Sequence, residues 1–340
     1  MVYNLFYLAN PIYGGWVSFT AHLALKHNLN LYKIGNRTEE KKRSYGYGIE
    51  YQNIAPDMVG SLSTHVITAI DKHSYDKLPL FPDGTFIVIH DPTEVNKKKA
   101  LPLFEHLHRF RIITIRASVK EYLKSKFNLH SVFILHPFHE YSFEKNPRPT
   151  KSISMSRIDF DKHTDILLKA NTLLPASKAI DIYGAVNLQY VFFKLQDYDF
   201  KKYYKGKFDK TFEAMSDLLK DVKFCIDMSV IQFDGGGTQY TFLEAIYQQC
   251  ALVINKKWIE GNATPFIPNK NCYVVENGEE LAELIQKDSP IQSIVEEAQA
   301  ILKPHVKVNW IQKMDTYDAK SATLKQKREK HSTTRKVSRV

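Results

Sequence analysis

Two short segments in the second half of the chain carry side chains whose types and spacing could handle a nucleotide diphosphate. The first is Ser154-Met155-Ser156-Arg157-Ile158-Asp159-Phe160-Asp161-Lys162, which reads as a strand running into a helix. Arg157 and Lys162 stand at the strand exit and the helix start, where backbone N–H groups and the helix dipole already favour an anion. Two fixed cations there could clamp a diphosphate and stabilise the charge on a departing nucleotide. The plainer alternative is a solvated Arg and Lys flanking a capping Asp159. The second segment is Asp234-Gly235-Gly236-Gly237-Thr238-Gln239-Tyr240-Thr241-Phe242-Leu243-Glu244-Ala245. A triple glycine, lacking Cβ atoms, would let backbone amides approach a ligand closely. Glu244 falls early in the following helix, where its carboxylate could accept two hydrogen bonds from a ribose diol or simply complement the helix dipole. Together the two segments specify a nucleotide diphosphate better than either does alone.

Such a site needs strands that end where helices begin, and the chain has that pattern. Short β-rich runs alternate with helical spacing, as in a parallel sheet flanked by helices. Residues 3–8 predict a first strand, followed by the turn Asn10-Pro11-Ile12-Tyr13-Gly14-Gly15 and a helix over 17–25. Residues 86–89, 111–115 and 132–135 predict further strands, the first ending at His90-Asp91 and the last at His136-Pro137. The polar, proline-containing stretch 142–152 is the best domain boundary. Beyond it, strands are expected over 152–155, 179–183, 224–228 and 251–254. Helices are expected over 161–174, after the triple glycine, and from about 290 to 302. A chain of 340 residues suits two domains of about 150 each. The expected fold is α/β: two doubly wound Rossmann-like domains, 1–150 and 151–320, facing each other across a cleft. Open sheets of this kind bind ligands at the carboxyl ends of their strands.

Composition narrows the function classes. With 44% hydrophobic and 25% charged residues the chain is not wholly disordered. No apolar run approaches the roughly 18–20 residues that cross a bilayer, and the start MVYNLFYLANP does not read as a signal peptide. Three scattered cysteines build neither a disulfide framework nor a zinc site, and a soluble, cytoplasmic protein is expected. There is no GxxxxGK[ST] loop and no GxGxxG fingerprint, against a P-loop NTPase or a typical dehydrogenase. The run His136-Pro137-Phe138-His139-Glu140 has poor spacing for metal ligands on a strand exit. No metal is expected.

The net charge of +10 is unevenly placed. Residues 1–150 hold 19 Lys and Arg against 13 Asp and Glu; residues 151–320 hold 21 against 23; residues 321–340 hold 7 against 1. The tail has almost no large apolar residues and reads as a disordered basic arm, either solubilising or attracted to nucleic acid. Lys41-Lys42-Arg43, Lys97-Lys98-Lys99 and the set Arg109, Arg111, Arg116 make the first half a second basic region. That distribution points to an anionic partner bound mainly by the first half.

The second half resembles the donor-binding domain of retaining GT-B glycosyltransferases. In that family an Arg and a Lys five residues later, here Arg157 and Lys162, bind the donor diphosphate. Its glycine-containing loop running into a helix Glu is matched by GGGTQYTFLEA, with Gly236, Gly237 and Thr238 in the loop and Glu244 at the donor ribose. IDIYGAVN (180–187) resembles the family's strand-plus-glycine element between these motifs. A first Glu eight residues before the second is frequent in the family, and here that position is Gly236, with Asp234 two residues away. In the first half, Gly14-Gly15 resembles the loop that lets donor phosphate and acceptor approach each other. His90-Asp91 resembles the strand end facing the transferred sugar. The wording of YTFLE and of the HD strand end is most similar to phage DNA α-glucosyltransferases, which act on hydroxymethylcytosine.

The resemblance implies a metal-independent enzyme with His90, Asp91, Arg157 and Lys162 in catalysis. Gly14, Gly15, Arg157, Lys162, Gly236, Gly237, Thr238 and Glu244 would hold a nucleotide-sugar donor, expected to be a UDP-sugar. The expected acceptor is a hydroxymethylated base in double-stranded DNA, gripped through its phosphates by the basic clusters and flipped into the cleft of a monomeric enzyme. Tyr45 and Tyr47 could stack on or replace that base. A glycan or small-molecule acceptor is the alternative, and a non-catalytic DNA-binding protein on the same scaffold is the second.

Overall fold

The computed structural model describes residues 2–10, 14–35, 44–45, 47–95, 100–209, 211–287 and 289–319. The clusters Lys41–Arg43 and Lys97–Lys99, Gly46 and the basic tail lie outside them. The first half of the chain builds a sheet from β1 (Asn4–Leu8), β2 (Asn30–Ile34), β5 (Gln52–Ile54), β6 (His65–Ile70), β7 (Phe86–Ile89), β8 (Arg111–Thr114) and β9 (Ser131–Phe133); β3 (Ser44–Tyr45) and β4 (Ile49–Glu50) form a separate hairpin. The second half builds another from β10 (Lys151–Met155), β11 (Ile180–Tyr183), β12 (Tyr204–Gly206), β13 (Val222–Asp227), β14 (Ala251–Asn255) and β15 (Tyr273–Val275).

Both sheets are parallel throughout, in the orders β5-β2-β1-β6-β7-β8-β9 and β12-β11-β10-β13-β14-β15. Strand order therefore reverses beside β1 in one sheet and beside β10 in the other, the crevice where open α/β sheets take ligands. The central strands are apolar on both faces because helices cover both: His65–Ile70 and Ala251–Asn255 are buried at every position. The strand His65–Ile70 lies next to β1 at the reversal point, a position the sequence pattern did not reveal.

The two halves, each with its own parallel sheet, are joined by a continuous apolar interface. One core cluster runs from Tyr3, Phe19 and Val88 of the first sheet's layer to Met155, Phe242 and Trp258 of the second. The helix Gln292–Lys307 leads back towards the first domain, and the helix over 310–319 packs there. Trp310 sits edge-on to Phe19 and donates its indole N–H to the Leu135 carbonyl, Tyr3 donates its hydroxyl to Asp315, and Arg111 pairs with Asp318. The last described helix thus closes on the sheet where the chain began.

Candidate active site

A cavity of about 610 Å³ opens between the carboxyl ends of the two sheets. Gly14, Gly15, His90, Asp91, Arg157, Lys162 and Glu244 all line it, although they are spread over more than 200 residues of sequence. Gly236, Gly237 and Thr238 lie outside the lining.

The C-terminal wall carries most of the charge. Residues between β10 and the helix Thr164–Leu173 hold Arg157 and Lys162, so the helix starts three residues later than the sequence spacing predicts. Lys162 is buried; its ammonium donates to Ser229 Oγ at 2.6 Å and Gln239 Oε1 at 3.2 Å. Ser229 in turn donates to Asp227 Oδ1, and Thr241 donates to Asp227 Oδ2 at 2.8 Å. Lys162 makes no ion pair among the described residues, and Ser229 links it to Asp227. Burying a cation with only neutral partners is costly, and an anion in the cavity would relieve that cost. Arg157 is 50% exposed at its side chain and stands 3.3 Å from both Asp159 and Asp161. Surface pairs of that length hold weakly, so the guanidinium is free to turn towards a ligand. Gly184, where β11 ends, has φ +144° and leaves 1.9 Å between a would-be Cβ and the Ser156 carbonyl, so the two strand exits meet only because no side chain intervenes.

The N-terminal wall carries Asp91 and the buried Arg116 beside uncharged groups. Gly14 (φ +94°) caps the helix Gly15–His27, and a Cβ on either Gly14 or Gly15 would meet open space. His90, at the end of β7, is buried and its Nε2 lies 2.7 Å from the Thr68 carbonyl. A carbonyl can only accept, so Nε2 carries the proton and Nδ1 keeps its lone pair. Burial pushes this imidazole down to about 4, so it is uncharged at neutral pH. Asp91 caps the short turn Pro92–Glu94 through Oδ1, which accepts from the Thr93 N–H at 2.8 Å.

Three contacts tie the walls together. Arg116, after β8, is buried and pairs with Asp234, which also accepts from Ser118 and from the Gly235 N–H. His305 donates from Nδ1 to the His136 carbonyl, so its Nε2 accepts the Thr238 hydroxyl at 3.2 Å; Thr238 then accepts from His136 Nδ1, and His136 Nε2 keeps a lone pair. Glu244 accepts from His22 Nε2 at 2.9 Å and from the Tyr141 hydroxyl. His22 Nδ1 accepts the His139 N–H, which fixes Nε2 as the protonated nitrogen.

The geometry corrects several expectations. The triple glycine is a packing device: Gly236 N–H donates to the Trp258 carbonyl at 2.6 Å and Gly235 N–H to Asp234. A Cβ on Gly236 would fall 2.5 Å from the Ala263 carbonyl, so no glutamate fits where the family often has one. Asp234 is committed to Arg116 and does not line the cavity. The set Arg109, Arg111, Arg116 is not a free basic face: Arg109 pairs with Asp83, Arg111 with Asp318, and Arg116 is buried. Tyr47 lines the cavity but is buried, bonded to Ser18 and packed 4.6 Å from Phe212. Trp16, His22, Arg116, His136 and Tyr141 complete the site. Only the strand-exit positions of Arg116 and His136 signalled them in advance.

No protein-family model matches the chain, and no curated protein sequence matches it. Solved structures do match. Anabaena Alr3699/HepE in complex with UDP and glucose aligns with a TM-score of 0.66 at 12% identity, over 96% of this chain and 100% of that one. An alpha-glucosyltransferase in complex with UDP aligns at 0.69 and 13%, over 94% and 100%. An alpha-glucosyltransferase with UDP and a 13-mer DNA containing an HMU base aligns at 0.67 and 13%, over 89% and 95%. Such likeness establishes the two-domain GT-B fold across nearly the whole chain.

Proposed function

We propose that the chain is a glycosyltransferase that moves a sugar from a UDP-sugar to a hydroxyl with retention, without a metal. One observation carries this reading: a buried ammonium, Lys162, faces the cavity with only neutral partners beside the movable Arg157. The bond from the anomeric carbon to the diphosphate oxygen breaks, and Lys162 and Arg157 absorb the charge that develops on that oxygen. The acceptor oxygen attacks from the same face, and its proton passes to the departing diphosphate. His90 Nδ1 accepts a hydrogen bond from the sugar and, being neutral, adds no charge to the wall where the glycosyl cation develops. Each free lone pair of Glu244 is available to the ribose, because His22 and Tyr141 hold one lone pair on each oxygen.

The acceptor we favour is hydroxymethylcytosine in double-stranded DNA. Its support is the excess of Lys and Arg in residues 1–150 and 321–340, together with a similar fold bound to a DNA 13-mer. Transfer to a glycan is the second reading, since a comparably similar fold holds UDP and glucose. Incubation with a panel of nucleotide sugars and hydroxymethylated DNA, plain DNA or oligosaccharide separates them by mass. A sugar-sized shift on the modified DNA alone is expected. A shift only on oligosaccharide would replace the acceptor, and hydrolysis of no nucleotide sugar would remove the activity. Lys162→Ala should lower turnover about a thousand-fold and Arg157→Ala about ten-fold, because only the first is buried and fixed.

A further inference from the structure

We propose that Trp16 is the platform on which the acceptor base stacks, held in place by Glu94. The proposal rests on the reading of the chain as an enzyme that modifies DNA. Trp16 is the second residue of the helix Gly15–His27, half-buried, and lines the cavity on the wall opposite Arg157 and Lys162. Its indole N–H donates to Glu94 Oε1 at 2.7 Å, and Glu94 Oε2 accepts the His90 N–H at 3.1 Å. Glu94 therefore ties the indole to the same strand exit that carries His90 and Asp91. The imidazole of His90 lies 6.3 Å away at 58°, so it does not stack on the indole.

An indole fixed by its edge presents a flat apolar face at no further ordering cost. A base drawn out of a duplex loses its stacking neighbours and gains from a substitute of that kind. The expected alternative, Tyr47, is buried with its hydroxyl on Ser18. Asp91 and Thr93 line the same cavity and would offer polar atoms to the edge of a base. Trp258 and Trp310, by contrast, are buried and packed edge-on against Phe242 and Phe19. Emission changes on ligand binding can therefore be assigned to Trp16 by substitution.

The test is a fluorescence titration of the full chain with a short hydroxymethylcytosine duplex, without donor. Wild-type emission should be quenched, and Trp16→Phe should abolish the change. Trp16→Ala should raise the KM for DNA about ten-fold or more, with a smaller effect on kcat, and Trp16→Phe should recover most of that loss. Glu94→Leu, which frees the indole, should fall between them. Quenching that persists in Trp16→Phe overturns the proposal. So does a Trp16→Ala KM for DNA equal to wild type. If wild type is quenched by DNA but transfers no sugar from any donor, the platform stands and the glycosyltransferase reading falls.

Discussion

The glycine pair on the cavity's N-terminal wall and the triple glycine outside the cavity lining both precede helices, yet they face different things. Gly14 and Gly15 have open space where a Cβ would be. Gly235, Gly236 and Gly237 have the Trp258 carbonyl, the Ala263 carbonyl and the Arg116 side chain within 3 Å of the same point. The first loop leaves room for a ligand, whereas the second packs on residues 258–263 of its own domain and, at Gly237 alone, on Arg116 of the other. A glycine run announces close approach of a backbone, and only the tertiary structure says to what.

The largest effect should come from the contact that presses on the triple glycine. Arg116→Ala leaves Asp234 buried without its cation and should cost about 4 kcal/mol of unfolding free energy. Denaturant titration measures it. A double-mutant cycle with Asp234→Ala should show strong coupling. A loss below about 1 kcal/mol would mean that the second loop does not depend on the interface.

Gly236→Ala should cost nearly as much, about 3 kcal/mol, since it adds left-handed strain at φ +70° to a backbone collision. The same substitution at an open, ligand-facing glycine would cost far less. This position also shows where reading the sequence alone stops. Arg157, Lys162 and Glu244 were legible because each stands at a fixed distance from a strand exit or helix start, and local structure sets their placement. Most of the parallel strands were legible from their apolar runs. Trp16, His22 and Tyr141 gave no comparable signal because their partners lie 78, 222 and 103 residues away. The direction a glycine faces is a long-range fact of the same kind.

Acid should loosen the contact that holds Thr238, beside the second loop. Burial pushes His305, which accepts the Thr238 hydroxyl, down to about 4. Its unfolded value is about 6.5, so the unfolded chain takes up its proton first as the pH falls. Stability is therefore full above about 6.5 and is lost as pH drops towards 4, by about 2.7 kcal/mol over two pH units. Unfolding at pH 7 and 4.5 should show a smaller drop in His305→Gln than in wild type. An equal drop would remove His305 from the account.

The smallest change in stability should accompany the most telling change in activity, at Gly14 and Gly15. Gly14→Ala imposes φ +94° on a residue with a Cβ and should cost about 1 kcal/mol. Gly15 has ordinary backbone angles at the first position of its helix, so Gly15→Ala should be neutral or stabilise by about 0.5 kcal/mol. Its methyl would nonetheless enter the cavity beside the first-turn N–H groups, where a diphosphate would sit. Thermal melting and donor hydrolysis on that variant separate the two roles: an unchanged or raised Tm with turnover at least ten-fold lower is expected. Full turnover would mean that this loop, like the triple glycine, is there for packing alone.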